Sequence, residues 1–175
     1  DESRKKPITR PSEQVCGNLL QAKWAKEKFM NAPEKSLESI KAVEHNIKST
    51  LDWYFVGIDV IKMGAGNSRT FFMSRGRYDV LAYNMTTNIW ESVNDVEMSA
   101  DTLIYGEIVK ELIGEHRSQI SANALHIIDG IVLGGKDIRH LPLLERNQMC
   151  RKFARALTKP PQCENKSMPI RCKKL

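Results

Sequence analysis

Arg151 and Arg155 stand four residues apart in a segment whose apolar residues recur at helical spacing, with Lys152 and Lys159 close by. That spacing puts both arginines on one helix face. Their guanidinium forks suit phosphate because they engage two of its oxygens at once. Arg139 and Arg146 precede them and extend the same cationic stretch. The chemistry open to this set is anion binding, to a phosphorylated peptide or to RNA phosphates. From residue 136 to 175, eleven Lys and Arg face three Asp and Glu, a net +8, while the remaining residues carry −2 of the total +6. An anionic partner is therefore expected at the C-terminal quarter. The competing use of such a stripe is a solvated helix face.

Other chemistry-bearing residues are less organised. Cys16, Cys150, Cys163 and Cys172 contain no C-x-x-C pair, so free thiols in a reducing compartment are expected. A zinc site from His140, Cys150, Cys163 and Cys172 lacks ligand pairs at finger spacing, and no metal is expected. The glycine-rich stretch 64–68 has neither the lysine nor the following helix of a phosphate loop, and reads as a hairpin turn. His126, on an alternating stretch, is expected to be packed or surface-exposed rather than a catalytic base.

A single core must position these groups. The 175 residues are about one domain's length, with 41% hydrophobic and 27% charged residues, an ordinary globular composition. No apolar run reaches the ~18 residues of a membrane-spanning helix, and no signal-peptide pattern opens the chain. It starts at Asp1 rather than Met, and is expected to be part of a longer protein. Residues 1–12 read as a flexible lead-in, and residues 13–175 as one domain.

Val15, Leu19, Leu20 and Trp24 predict a first helix. Leu37, Ile40, Val43, Ile47 and Leu51 predict a second, with Ser36 as its N-cap. Strands are predicted at 53–61, 69–74, 77–83, 89–93, 103–112 and 124–133, the last ended by Gly134-Gly135, with a turn at Arg75-Gly76. A final helix is predicted from about Leu141 to Leu157, facing inward with Leu144, Met149, Cys150, Phe153 and Leu157. It stops before Pro160-Pro161, and residues 168–172 read as one more strand. Trp53, Phe55, Phe71, Trp90 and Phe153 are expected in the core. The order of elements predicts an α+β domain, mostly antiparallel sheet with flanking helices.

Two stretches carry a resemblance. TLIYGEIV, residues 102–109, resembles motif III of the mRNA-capping guanylyltransferases. ALHIIDGIVLGGKDIRHLPLLERN, residues 124–147, resembles their next motif: a strand ending in an acid, a turn, then L-P-L-x-x-R opening a helix. The resemblance covers roughly residues 50–157 and implies a degenerate nucleotidyltransferase fold. In that family the lysine of K-x-D-G attacks the α-phosphate of GTP. Here the stretch is Thr50-Leu51-Asp52-Trp53, with Thr50 at the lysine position and Trp53 at the glycine. Tyr105 stands where motif III has an aspartate, while Glu107, which can accept a ribose hydroxyl, is kept. Ile128 replaces the aromatic residue that stacks on guanine, and Asp129 is kept. The resemblance thus makes Thr50, Asp52, Tyr105, Glu107, Ile128 and Asp129 a vestigial nucleotide pocket without a catalytic residue.

Residues 107–115 and 124–139, with the tail 167–174, also resemble the guanylyltransferase-like region of cap ribose methyltransferases. That implies a nuclear protein of mRNA capping. S-adenosylmethionine would belong to a separate methyltransferase domain in cis, with no cofactor here. It further implies RNA polymerase II as partner, through its phosphorylated C-terminal repeat, which capping guanylyltransferases bind; no membrane partner is expected. Two other readings stay open: a module holding the capped RNA, and a nucleotidyltransferase with a relocated lysine such as Lys48 or Lys62.

Overall fold

The computed structural model describes residues 37–58, 69–87, 89–114, 119–158 and 167–175. Their order is helix α1 (Ile40–Asn46), a 3-10 turn (Thr50–Asp52), and strands β1 (Arg69–Gly76), β2 (Asp79–Asn84), β3 (Ile89–Ser92), β4 (Thr102–Ile113), β5 (Ile120–Leu133) and β6 (Lys136–Asp137). Helix α2 (Leu143–Ala156) and strand β7 (Ile170–Cys172) complete them. The strands form one open sheet in the order β3-β2-β1-β4-β5-β6, with β7 also on β5. Every pairing is antiparallel except β5 with β7. Parallel neighbours need a crossover, and α2 lies in the connection between them.

Alternation along the strands explains why both sheet faces are apolar. Phe72, Val80, Ile104, Leu125 and Ile127 fall in one core cluster, together with Cys150 and Ala154 of α2. Phe71, Met73, Leu81, Leu103 and Val132 fall in a second cluster, with Tyr83, Trp90 and Tyr105 packed against it. Burying such side chains contributes about 1.5–3 kcal/mol each. The expected α+β class and mostly antiparallel sheet are the observed ones, and the predicted strands from residue 69 to 133 and the final helix are all present.

Three expectations need correction. Residues 53–58 of the predicted strand 53–61 have no regular structure. Trp53 and Phe55, expected in the core, are 45% and 78% exposed. β-forming residues make a strand only where a sheet edge and a buried face receive them, and this segment pairs with no strand among the described residues. The predicted second helix shrinks to the seven residues of α1. Ser39 caps it, its hydroxyl accepting from the Ala42 N–H at 3.1 Å, and none of its residues is buried. Helices of this length depend on packing, and Leu37, Ile40, Val43 and Leu51 are all exposed. Leu144 also faces solvent, at 49% exposure, and the β1–β2 turn falls at Arg77-Tyr78 rather than Arg75-Gly76. The lead-in, the first helix, Ser36, the stretch 64–68, Lys62, Lys159, Cys16 and Cys163 lie outside the described residues.

The β4–β5 ladder has two irregularities that matter for the site. Tyr105 pairs with Asp129 but Gly106 pairs with Ile127, so Ile128 is the extra residue of a bulge. The bulge draws the strands so close that a Cβ on Gly106 would sit 2.6 Å from the His126 carbonyl oxygen. Only glycine fits there without displacing backbone.

Candidate functional site

Glu107 lies in the middle of β4 and has no exposed surface. A buried carboxylate needs a cation or protonation, and Lys173 supplies the cation. Its amine is 2.5 Å from Glu107 Oε1 and also donates to the Gly57 carbonyl. The lysine is held there by its backbone, whose N–H donates to the Ile127 carbonyl at 2.8 Å and whose carbonyl accepts from Asn147 Nδ2 at 2.9 Å. The Lys173 side chain is only 12% exposed. Sequence reasoning did not single it out. The signal available was a buried acid on β4, which must find a partner somewhere in the chain.

Asp129, just past the bulge, is engaged in the same way. Arg146 on α2 donates to it through Nε at 2.9 Å and Nη2 at 2.8 Å, and through Nη1 to the Leu141 carbonyl at 2.7 Å. The Gly130 N–H adds a third bond to Asp129 at 2.8 Å. The bidentate fork ties the start of α2 to β5, and its hydrogen bond to Asp129 raises the arginine's pKa still further. Tyr105 packs its ring 5.2 Å from that of Phe71 in the second core cluster. Ile128 is half-buried in the bulge, Thr50 is exposed on the 3-10 turn, and Asp52 ends that turn. The six residues of the expected pocket are thus distributed between the sheet and a separate turn. The two acids on the sheet are each closed by an internal cation.

Glu111, further along β4, gathers a second polar group. It accepts from Arg171 Nε at 2.8 Å on both oxygens and pairs with His126 Nε2 at 2.6 Å. Burial works against its ionisation, but the hydrogen bonds from Arg171 and His126 outweigh it and hold the carboxyl below its ordinary pKa.

The cationic residues separate into two groups. Arg139 forks onto Asp137, with Nη2 2.5 Å from Oδ2, and Arg146 is held by Asp129. Arg151 and Arg155, by contrast, stand on the outer face of α2 and meet Arg171 and Lys174 from β7 and its continuation. With Thr158 these four line an open recess of about 240 Å³ whose apolar floor is Ala154, Ile170 and Cys172. Arg151, Arg155 and Lys174 form no ion pair among the described residues, and no acid lines the recess. Lys152 is exposed beside it but outside its lining. The arginines four apart were legible in the sequence; Arg171 and Lys174 join them only through the β5–β7 pairing. No group of three or more metal-binding side chains occurs among the described residues.

No protein-family description matches this chain. Individual proteins do. In an alignment 177 positions long that covers its whole length, it is 36% identical to cap-specific mRNA (nucleoside-2'-O-)-methyltransferase 1 of Drosophila melanogaster, of which it spans 22%. It is 34% identical over 113 residues to the Danio rerio protein of that name, covering 63% of this chain and 13% of the relative. With the Homo sapiens protein it shares 32% over 115 residues, 65% of this chain and 14% of the relative. The chain is therefore homologous, along its full length, to a segment of cap-specific mRNA (nucleoside-2'-O-)-methyltransferase 1.

Proposed function

We propose that this chain is a guanylyltransferase-like interaction domain, without catalytic activity of its own, from a nuclear cap ribose 2'-O-methyltransferase. It serves to hold the enzyme on RNA polymerase II through the phosphorylated C-terminal repeat. The observation that carries this reading is the recess of Arg151, Arg155, Arg171 and Lys174. Its volume is below the ~300 Å³ at which drug-sized ligand pockets begin, which suits a phosphoryl group better than a whole nucleotide. It offers no aromatic platform of the kind that single-stranded RNA stacks on, which favours a phosphopeptide over the capped transcript.

The state of the expected pocket supports the non-catalytic part. Glu107 and Asp129 already hold Lys173 and Arg146, so a ribose or metal-bound phosphate would have to displace a buried ion pair. The Lys173 amine is engaged by the Glu107 carboxylate and the Gly57 carbonyl, whereas the family's nucleophilic lysine must be free to reach a phosphate. S-adenosylmethionine belongs in this reading to another part of the longer protein. Gly134-Gly135 makes the β5–β6 hairpin turn, and α2 begins only at Leu143, so this glycine pair is not the strand-to-helix turn that such a cofactor uses.

Titration with phosphorylated and unphosphorylated repeat peptides tests the recruiting role. Binding should require phosphate; equal or absent binding to both overturns it. Preference for short RNA, with affinity falling steeply as salt rises, would replace it with the RNA reading. Incubation with radiolabelled GTP and a divalent metal should leave no acid-labile label on the protein.

A further inference from the structure

Among the described residues β7 pairs on one side only, in parallel with β5. Along that side the Pro169 carbonyl accepts from the Leu125 N–H at 2.9 Å, and the Lys173 N–H donates to the Ile127 carbonyl at 2.8 Å. In a parallel ladder every second residue of a strand addresses the same neighbour. Pro169, Arg171 and Lys173 therefore turn their backbone groups to β5, and Ile170 and Cys172 turn theirs outward. No described strand lies on that outer side. Such an edge is a template for another strand.

The edge and the cations belong to one place. Ile170, Arg171, Cys172 and Lys174 form the β7 side of the recess, and Arg151, Ala154, Arg155 and Thr158 form its α2 side. We propose that β7 is a docking edge: an extended phosphorylated peptide adds to it as the next strand, and its phosphoryl group seats among the recess cations. The deduction deepens the function proposed above and rests on it for the phosphate.

Charge selects this occupant. A second copy of β7 would bring Arg171 and Lys174 against themselves, and like charges across a strand pair repel. Short edge strands that carry cations are guarded against self-pairing in this way, and the same cations favour an anionic strand. RNA carries phosphate but no row of amide donors and acceptors, so it meets the cations and leaves the edge unpaired. A peptide meets both. In strand addition, main-chain bonds supply affinity, and the side chains that fall on one face supply selectivity. Those side chains recur every second residue, so phosphates two residues apart reach the α2 side together, whereas phosphates on adjacent residues do not.

The test uses the whole chain and two phosphopeptides, one of the polymerase repeat and one of unrelated, valine- and threonine-rich sequence. Each peptide is N-methylated on its backbone at one position after another, which removes single N–H donors and leaves the protein untouched. Affinity should fall about tenfold at alternate positions, as loss of one hydrogen bond implies, and stay unchanged between them. Bound phosphopeptide should also slow hydrogen exchange at the Ile170 and Cys172 amides. Binding that ignores N-methylation everywhere and leaves both amides exchanging overturns the docking edge. Short RNA bound in preference to either phosphopeptide overturns it as well. Alternating sensitivity with the unrelated phosphopeptide, and no binding of the repeat, leaves the edge standing and sinks the recruiting reading. Phosphate-dependent binding of the repeat without sensitivity or protection does the reverse.

Discussion

The Lys173 amine lies 2.5 Å from a carboxylate oxygen of Glu107, a residue wholly shut off from solvent. The pair joins the end of the chain to the middle of β4, at the position where the family resemblance implies a ribose-binding acid. Such a pair costs desolvation on both sides and is not in itself strongly stabilising. Breaking it is the expensive event, because the charge left behind has no water.

Lys173→Met should therefore lower the unfolding free energy by about 3–5 kcal/mol. The double variant with Glu107→Gln should recover a large part of that loss. Denaturant unfolding of the four proteins in this cycle measures the coupling. Additive losses would show that the ion pair is not what holds the tail in place.

Arg146 should resist conservative replacement. Lysine keeps the charge but cannot make the two parallel bonds to Asp129. Both Arg146→Lys and Arg146→Ala should lose stability, by about 1.5–3 kcal/mol for the alanine variant. Full rescue by lysine, read from thermal or chemical unfolding, would contradict the bidentate geometry.

The recess variants should behave in the opposite way. Arg151→Ala and Arg155→Ala remove exposed cations that pair with nothing among the described residues. Stability should move by no more than about 0.5 kcal/mol. Phosphopeptide affinity should fall about tenfold for each, as loss of a charge-assisted hydrogen bond implies. Arg139→Ala, which releases Asp137, should leave affinity unchanged in the same titration.

Glu111 makes stability depend on acid. Its carboxyl is depressed below the ordinary 4.5 in the folded state, burial being outweighed by Arg171 and His126. The unfolded chain therefore takes up the proton first as pH falls. The contribution of Glu111 is complete above about pH 4.5 and is lost as pH drops through the folded value. Glu111→Gln should flatten that part of the stability–pH curve, measured by denaturant midpoints across the acid range. An unchanged slope would mean that the acid dependence comes from other groups.

The sequence by itself determined the α+β class, the strands from residue 69 to 133 and the helix ending near Leu157, because these elements carry the periods of two and 3.6 that a core imposes. It also determined the cationic bias of the C-terminal quarter and placed Arg151 and Arg155 on one helix face. It misjudged residues 37–58, whose apolar pattern would suit a helix and a strand but of which none is buried among the described residues. Only the tertiary structure decided which charges remain available. Arg139 and Arg146 look equivalent to Arg151 and Arg155 in one dimension, yet Asp137 and Asp129 hold the first two. Lys173 against Glu107 and Arg171 beside Arg155 both arise from laying β7 along β5. The physical reason is that ion pairs and recesses join residues distant in the chain, through strand register and crossover, whereas periodicity reports only on neighbours within a few residues.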